Sequence, residues 1–293
     1  MKWEGNRESD NVEDRRGAGG GAGMPVFGGR SIGIGTIVIA LLGGWVLGIN
    51  PLTILGALSG GGMPPAQVQQ QAPAQRPPAD DKMARFVSTV LADTEDVWSN
   101  LFSQAGGRYQ DPRLVLFRGA TQTACGAGQA AMGPFYCPAD QKVYIDLGFY
   151  ETLKNQLGAP GEFAQAYVIA HEVGHHVQNL LGISEKVDQQ RGRVSQAQYN
   201  QLSVRLELQA DCFAGVWSHH AQRERQILEK GDIELAMNAA AKIGDDALQR
   251  SAGGAVVPES FTHGSSAQRQ RWFQKGLQGG SVKGCDTFSA RSL

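Results

Sequence analysis

The residues with the most distinctive chemistry are His171, Glu172 and His175, which occur in the order His-Glu-x-x-His. Residues four positions apart share one face of an α-helix, so both imidazoles can direct a ring nitrogen at the same point. Neutral imidazole is a common ligand of divalent metals, and Zn²⁺ is the ion bound at this spacing. The pattern therefore predicts a metal site on a helix, with one Zn²⁺ per chain.

The same pattern gives Glu172 a chemical role. A catalytic zinc site uses three protein ligands and leaves the fourth position to a water molecule, whose pKa falls to about 7. A carboxylate beside that water can accept its proton and pass it to a leaving amine. We therefore expect Glu172 to act first as a general base and then as a general acid in peptide-bond hydrolysis.

Two predicted helices position these residues. Apolar residues recur with the helical period from Phe163 to Leu181, and a glycine follows, as is common where helices end. A second helical run, Ser203 to His220, carries Glu207 and Asp211 four positions apart. We expect Glu207 to be the third ligand and Asp211 to hydrogen-bond a ligand histidine. Asp211 as the ligand stays open, as does a structural interpretation with core histidines and a solvated acidic edge.

These motifs resemble those of a known family. His-Glu-x-x-His followed by Glu-x-x-x-Asp is similar to the pattern of gluzincin zinc peptidases. The opening segments Lys2 to Gly5 and Asn11 to Gly17, a single hydrophobic segment and the region from Cys125 to Cys137 resemble the bacterial membrane-anchored "putative neutral zinc metallopeptidase" family. The resemblance covers nearly the whole chain. It implies a zinc-dependent endopeptidase with a peptide or protein substrate and an α+β, mostly helical, zincin-like fold.

The resemblance implies two further features. The β-rich stretch Lys142 to Leu147, which precedes the metal helix, is expected to be an edge strand that binds extended substrate, with an internal strand as the alternative. The segment from Phe261 to Arg269 is similar to a Thr-His-Pro…Glu-Arg segment of membrane-anchored gluzincins, although Gly264 replaces the proline. His263 would then donate to the oxyanion of the reaction. The alternative is a helix cap.

Composition excludes some classes of function and leaves others open. The chain has 293 residues, 41% of them hydrophobic and 19% charged, and a formal net charge of -1. Near neutrality without a basic stripe argues against a nucleic-acid partner. Four cysteines are too few for a disulfide scaffold, and no Cys-x-x-Cys spacing indicates a cysteine zinc site. Three connectivities are open, of which we predict Cys125 with Cys137 and Cys212 with Cys285.

The first 80 residues predict a membrane attachment. Charged residues are absent from Ser31 to Gln75, whereas arginines flank the amino side, so the positive-inside rule puts the tail in the cytoplasm. A cleaved signal peptide is the alternative to the anchor, and a short cytoplasmic docking peptide around Trp3 and Val12 is the alternative to a disordered tail. The predicted segments are a disordered cytoplasmic tail (1–30), a transmembrane signal anchor (31–58), a Gly/Pro/Gln linker (59–80) and a zinc metallopeptidase domain (81–293). This predicts a single-pass protein of a bacterial inner membrane with its catalytic domain in the periplasm.

Two functions of other classes compete with the peptidase. One is a catalytically silent, zinc-stabilised binding module, and the other is a periplasmic scaffold whose tail and anchor carry the function. Glu172 argues against the first, because only the chemistry requires this carboxylate. Metal content without cleavage of any unfolded protein or peptide would favour these alternatives.

Overall fold

A small mixed β-sheet and a larger helical layer form the described part of the chain. The computed structural model describes residues 1–17, 75–129 and 133–293. Its helices are α1 Lys82–Gln104, α2 Gly148–Asn155, α3 Glu162–Leu180, α4 Ile183–Asp188, α5 Gln196–Arg225, α6 Asp232–Lys242, α7 Asp245–Ser251 and α8 Ser266–Gly279, with 3₁₀ turns at Pro258–Ser260 and Val282–Cys285. This confirms the predicted α+β, mostly helical class.

The membrane-related predictions concern other residues. The predicted transmembrane segment 31–58 and most of the predicted linker 59–80 lie outside the described residues. Within the described ranges, no helix combines the length and the apolar character needed to span a bilayer.

Four strands form the main sheet in the order β1-β2-β6-β5. Its strands are β1 Val12–Asp14, β2 Arg113–Phe117, β5 Phe135–Cys137 and β6 Lys142–Asp146, while β3 Ala120–Thr123 and β4 Gly126–Gln129 form a separate hairpin. Strands β1, β2 and β6 are parallel, and β5 runs antiparallel to β6. The prediction of an edge strand at Lys142 to Leu147 is therefore wrong. That strand is internal, because β5 covers its other side.

The N-terminal segment, residues 1–17, packs onto the sheet and helices. Strand β1 pairs with β2 in a register that sets Val12 opposite Leu114. Trp3 is 3% exposed, and its ring meets that of Phe86 edge-on at 5.4 Å. The predicted disordered tail is therefore wrong for this segment. The alternative of a cytoplasmic docking peptide stays a prediction, since the observed packing is against the chain's own sheet and helices.

Paired charges explain why so polar a segment folds. The buried Glu13 carboxylate has ion pairs with Arg15 at 2.8 Å, Arg113 at 3.1 Å and Lys142 at 2.9 Å. Burial acts to raise the pKa of Glu13, but its basic partners outweigh burial and lower that pKa to about 2. Charges that favour disorder in an isolated peptide are thus neutralised across the sheet.

Helix α5 starts earlier than predicted. Apolar periodicity indicated Ser203 as its start, whereas the helix begins at Gln196. A capping box explains the difference, because the Ser195 side chain accepts the backbone N–H of Gln198 and the Gln198 side chain binds the Ser195 backbone in return. The first two turns are polar, so hydrophobic periodicity missed them.

Both predicted disulfides are formed. Cys125 is bonded to Cys137, the last residue of β5, and Cys212 of α5 is bonded to Cys285 in the C-terminal 3₁₀ turn. A disulfide stabilises a fold chiefly by restricting the unfolded chain. The first bond ties β5 to the β3–β4 hairpin, and the second ties the C-terminal segment to α5.

Candidate metal centre

Three side chains from two helices converge on one point. Nε2 of His171 lies 3.2 Å from Oε2 of Glu207, and Nε2 of His175 lies 3.5 Å from Oε1 of the same carboxylate. One ligand atom from each residue lies within 4.8 Å of the others. Tetrahedral ligands about 2.1 Å from one Zn²⁺ ion would be about 3.4 Å apart. The three residues therefore fit a zinc ion.

Gly174 sets the distance between the two helices. A Cβ atom at this position would lie 3.0 Å from the carbonyl oxygen of Ala210 and 3.1 Å from its Cα. Gly174 lies on α3 between the histidines, and Ala210 lies on α5 between Glu207 and Asp211. Close backbone contact at this point brings the carboxylate within reach of both imidazoles.

Asp211 lies behind His171 in a buried charged network. Its Oδ1 is 2.8 Å from Nδ1 of His171 and accepts the Tyr167 hydroxyl at 2.5 Å. Arg269 donates to Oδ2 from Nε at 2.8 Å and to Oδ1 from Nη2 at 2.9 Å. Asp211 is fully buried and Arg269 is 2% exposed. This network fixes the orientation of His171 and leaves its Nε2 directed at Glu207.

A neutral amide lies behind His175. Nδ1 of His175 is 2.9 Å from Oε1 of Gln178, one turn further along α3. Because the amide oxygen can only accept, His175 must donate from Nδ1, and Nε2 is the nitrogen that can bind a metal. Each histidine thus presents the same ring nitrogen to the cluster, through a different kind of partner.

Opposed electrostatic effects keep the carboxylates of Glu207 and Asp211 ionised. Burial acts to raise the pKa of Glu207, but the charge of His175 and hydrogen bonds from both histidines hold it well below its usual range. Burial also acts to raise the pKa of Asp211, but Arg269 and His171 outweigh it and lower that pKa to about 2. Burial lowers the pKa of His171, yet Asp211 more than compensates and raises it to about 10. A metal ion entering this site therefore displaces a proton.

Glu172 lines the cleft that opens onto these residues. The cleft has a volume of about 1050 Å³ and is bordered by residues of β5, α2, α3, α4 and α5. Glu172 is 7% exposed. Burial raises the pKa of its carboxyl, while the charges of His175 and His171 oppose this effect. A carboxyl with a raised pKa can accept a proton and release it again near neutral pH.

Comparison with known proteins decides the family. The family described as "Putative neutral zinc metallopeptidase" matches residues 1–288. The chain belongs to this family. The match includes the N-terminal segment as well as the site, and it confirms the resemblance noted from the motifs.

Relatives extend across distant bacteria. The "Uncharacterized protein YpfJ" of Escherichia coli strain K12 is 53% identical over 289 residues, which cover 98% of this chain and 99% of that protein. The "Uncharacterized protein Mb2605" of Mycobacterium bovis is 43% identical over 225 residues, which cover 71% of this chain and 73% of that protein. No solved structure matches the chain.

In this metallopeptidase family member, a second histidine–carboxylate pair faces the cleft. Nδ1 of His263 lies 3.1 Å from Oδ1 of Asp245. The other oxygen, Oδ2, accepts the backbone N–H groups of Thr262, His263 and Gly264 at 2.7, 2.7 and 3.0 Å. Asp245 therefore holds the whole turn that carries His263. Engagement of Nδ1 leaves Nε2 as the nitrogen available to a ligand.

Tyr136 fastens the edge strand β5 to the metal helix. Its hydroxyl lies 3.0 Å from Nδ1 of His176 and accepts from Nδ2 of Asn179 at 3.1 Å. His176 donates from Nε2 to the carbonyl of Gln110 at 2.6 Å, so its Nδ1 must accept from Tyr136. The strand that borders the cleft is therefore held in a fixed position over α3.

Several residues of the site escaped the sequence analysis. Arg269 lies in the segment that resembles one of membrane-anchored gluzincins, but no role follows for it from the sequence alone. Tyr167 is one turn before His171, a spacing that places both on one helical face and offers a signal. Gln178 is three residues after His175 and offers the same signal. Asp245 is separated from His263 by 18 residues, and no local pattern joins the two.

Proposed function

We propose that the chain is a zinc-dependent endopeptidase in which His171, His175 and Glu207 bind the metal and Glu172 moves the proton. The observation that carries the proposal is the convergence of both Nε2 atoms on one carboxylate at the floor of an open cleft. Two histidines and a glutamate form a donor set of catalytic zinc sites that retain an open position. Asp211 supports His171 from behind and is not a ligand in this proposal.

Glu172 supplies the proton transfer. When bound, zinc lowers the pKa of a water molecule in its open position and polarises a carbonyl group. The carboxylate of Glu172 accepts the proton of the attacking water and then donates it to the departing amine nitrogen. Its buried position keeps its pKa raised, which makes the second transfer easier than from an exposed carboxylate.

Strand β5 provides the substrate-binding edge in this proposal. Its outer side has no strand partner among the described residues, and Phe135 and Tyr136 border the cleft. Unpaired backbone groups on such an edge can pair with an extended peptide of any sequence. The tie between Tyr136 and α3 holds that peptide at a constant distance from the metal ligands.

His263 completes the site as the donor to the oxyanion. Its Nδ1 is engaged by Asp245, so Nε2 can donate a hydrogen bond in the cleft when the imidazole is protonated. Donors aimed at a developing oxyanion are worth about 3 kcal/mol of barrier in proteases where one was removed. Arg269 also lines the cleft, but Asp211 already engages it.

The test compares carboxylate variants of the full-length chain. Glu172→Gln is expected to retain zinc, measured by elemental analysis, and to lose cleavage of a fluorescently labelled unfolded casein. Glu185→Gln is the control, because Glu185 borders the same cleft and does not belong to the cluster of ligand residues. Retained cleavage by Glu172→Gln would refute the mechanism. Zinc in the wild-type protein without any cleavage would favour a binding module.

A second comparison separates the third ligand from its neighbour. His171→Ala and Glu207→Gln are expected to reduce zinc occupancy severely, because each removes a ligand. Asp211→Asn should retain partial occupancy, since an amide can still accept a hydrogen bond from His171. Lower occupancy in Asp211→Asn than in Glu207→Gln would assign the metal to Asp211 instead.

We also propose that the domain works in an oxidising compartment. Two disulfides that include every cysteine of the chain support this location, because disulfides are rare in reducing cytosol. Attachment to a bacterial inner membrane through residues 31–58 is part of the same proposal, with residues 1–17 on the same side of the membrane as the sheet, because β1 pairs with β2. Mass spectrometry of protein from the periplasmic face should find no free thiol.

A further inference from the structure

A row of hydrogen bonds runs from His175 to the C-terminal disulfide. Beyond the contact with His175, Gln178 donates from Nε2 to Oε1 of Gln209 at 3.1 Å and to the carbonyl of Leu206 at 2.6 Å. Gln209 donates from Nε2 to the carbonyl of Cys285 at 3.0 Å. Gln178 is fully buried and Gln209 is 5% exposed.

The carbonyl at the far end fixes the direction of every bond in this row. The Cys285 carbonyl can only accept, so Gln209 must turn its NH₂ group to it and its oxygen to Gln178. Gln178 must then present its own NH₂ group to Gln209 and its oxygen to His175. The imidazole is left with one choice, which is to donate from Nδ1. Bonds aligned in this way also polarise one another.

We propose that Gln178 and Gln209 are positioning residues through which the Cys212–Cys285 disulfide fixes the tautomer of His175 and raises the zinc affinity of the site. The inference rests on the proposed function for the identity of the metal. Cys285 is held by its bond to Cys212, which lies six residues after Leu206 on α5. The disulfide thus supports one of the two anchors of the Gln178 amide.

The two anchors predict a graded response. Removal of Gln178 deletes the acceptor for His175 and should have the largest effect. Removal of Gln209 or of the disulfide should have a smaller effect, because the Leu206 carbonyl still holds the NH₂ group of Gln178. A general loss of stability would give a different ranking, in which removal of the disulfide has the largest effect because it removes a covalent cross-link.

The first experiment measures zinc affinity of the full-length chain by chelator competition. Gln178→Leu is expected to weaken binding about 10- to 100-fold, as for other residues that support metal ligands. Gln178→Glu keeps an acceptor for His175 and should recover part of that loss, although it lacks the NH₂ group that donates to Leu206 and Gln209. Gln165→Leu on the same helix is the matched control, since Gln165 takes no part in the row. Equal effects of the two leucine variants would overturn the proposal.

Cobalt substitution supplies a second readout. The Nδ1 proton of a histidine bound to Co²⁺ gives a shifted, exchangeable NMR signal. Solvent exchange of the His175 proton should be slow in the wild-type chain and clearly faster in Gln178→Leu, while that of His171 should not change. Unchanged exchange at His175 would contradict the proposed hydrogen bond.

The disulfide is tested by a double-mutant cycle. Cys212→Ala with Cys285→Ala should weaken zinc binding as much as Gln209→Leu does, and the combination should add nothing further. Cys125→Ala with Cys137→Ala removes the other disulfide and should leave the affinity unchanged. Additive losses, or equal losses from both disulfides, would overturn the role of Cys285. If the variant with Cys212→Ala and Cys285→Ala does not fold, an unchanged zinc affinity in Gln209→Leu is by itself enough to overturn the role of Cys285.

These outcomes separate the inference from the proposed function. A zinc affinity that is unchanged in all of these variants refutes the positioning role and leaves the peptidase proposal intact. The expected pattern of affinities without any proteolysis refutes the peptidase and leaves the positioning role intact.

Discussion

The two histidines of the site are supported by opposite means. Behind His171 lies a buried ion pair between Asp211 and Arg269, joined by a tyrosine hydroxyl. Behind His175 lie two uncharged glutamines that end at a backbone carbonyl. Both arrangements leave Nε2 free for the metal, so charge is not required to select the tautomer.

The two kinds of support differ in the free energy that is lost when one partner is removed. A buried ion pair gives little net stability, but removal of one partner leaves an uncompensated charge in the interior. A buried amide that loses a partner leaves an unsatisfied dipole, at a cost of about 1–3 kcal/mol. The His171 side should therefore respond much more strongly to substitution than the His175 side.

The largest effect is expected at Arg269. Arg269→Met leaves the Asp211 carboxylate buried without its cation, so the free energy of unfolding should fall by about 3–5 kcal/mol. Urea unfolding of the metal-free chain, followed by tryptophan fluorescence, measures the loss. The double variant Arg269→Met with Asp211→Leu should recover part of it. A loss under 1 kcal/mol would show that the network is not a tight ion pair.

A smaller effect, shared by both sides, is expected at Gly174. The added Cβ of Gly174→Ala would press on the Ala210 backbone, and overpacking of this kind costs about 1–3 kcal/mol. Separation of α3 from α5 should also weaken zinc binding. Gly279→Ala is the control, because a Cβ there meets nothing within 4 Å. Equal stability of the two variants would mean that the helices adjust without strain.

Glu13 is a buried carboxylate with basic partners like Asp211, but it lies in the sheet, away from the metal site. Its pKa is lowered from 4.5 to about 2, so its contribution to stability is full above pH 4.5 and is lost as the pH falls toward 2. Glu13→Gln should flatten this acid limb in unfolding curves measured from pH 6 to pH 2. Zinc affinity at neutral pH should not change. A weaker zinc affinity in Glu13→Gln would mean that Glu13 also supports the metal site.

The smallest effect is expected at Tyr136, another uncharged contact of α3. Tyr136→Phe removes the hydroxyl that serves His176 and Asn179, and the unfolding free energy should fall by about 1 kcal/mol. In a peptide-cleavage assay, KM should rise more than kcat falls, because β5 is loosened while the ligands stay. A fall in kcat alone would argue against substrate binding at β5.

Local spacing was sufficient for the parts of the site that lie within single helices. Four-residue separations placed His171 with His175 and Glu207 with Asp211, and the apolar period with its final glycine located α3. The sequence could not show which carboxylate faces the histidines, since both share one face of α5. That choice depends on the contact between Gly174 and Ala210, two residues 36 positions apart.

The missed features all depend on distant pairs. Strand β1 is three residues long in a charged segment, and its partner β2 begins about one hundred residues later. The family resemblance predicts an edge strand at β6, and nothing in residues 142–147 reveals that Phe135–Cys137 pairs beside it. Arg269 contacts Asp211 and Asp245 contacts His263, and both residues belong to the last third of the chain. In each case, tertiary contact decides what local pattern leaves open.

The pairing of β1 with β2 limits how the chain can be threaded through a bilayer. Val12–Asp14 and Arg113–Phe117 share backbone hydrogen bonds, so both must reside in the same aqueous compartment. A single passage between residues 17 and 75 would separate them. Reporter fusions or cysteine labelling at residues 5 and 106 should accordingly give the same sidedness.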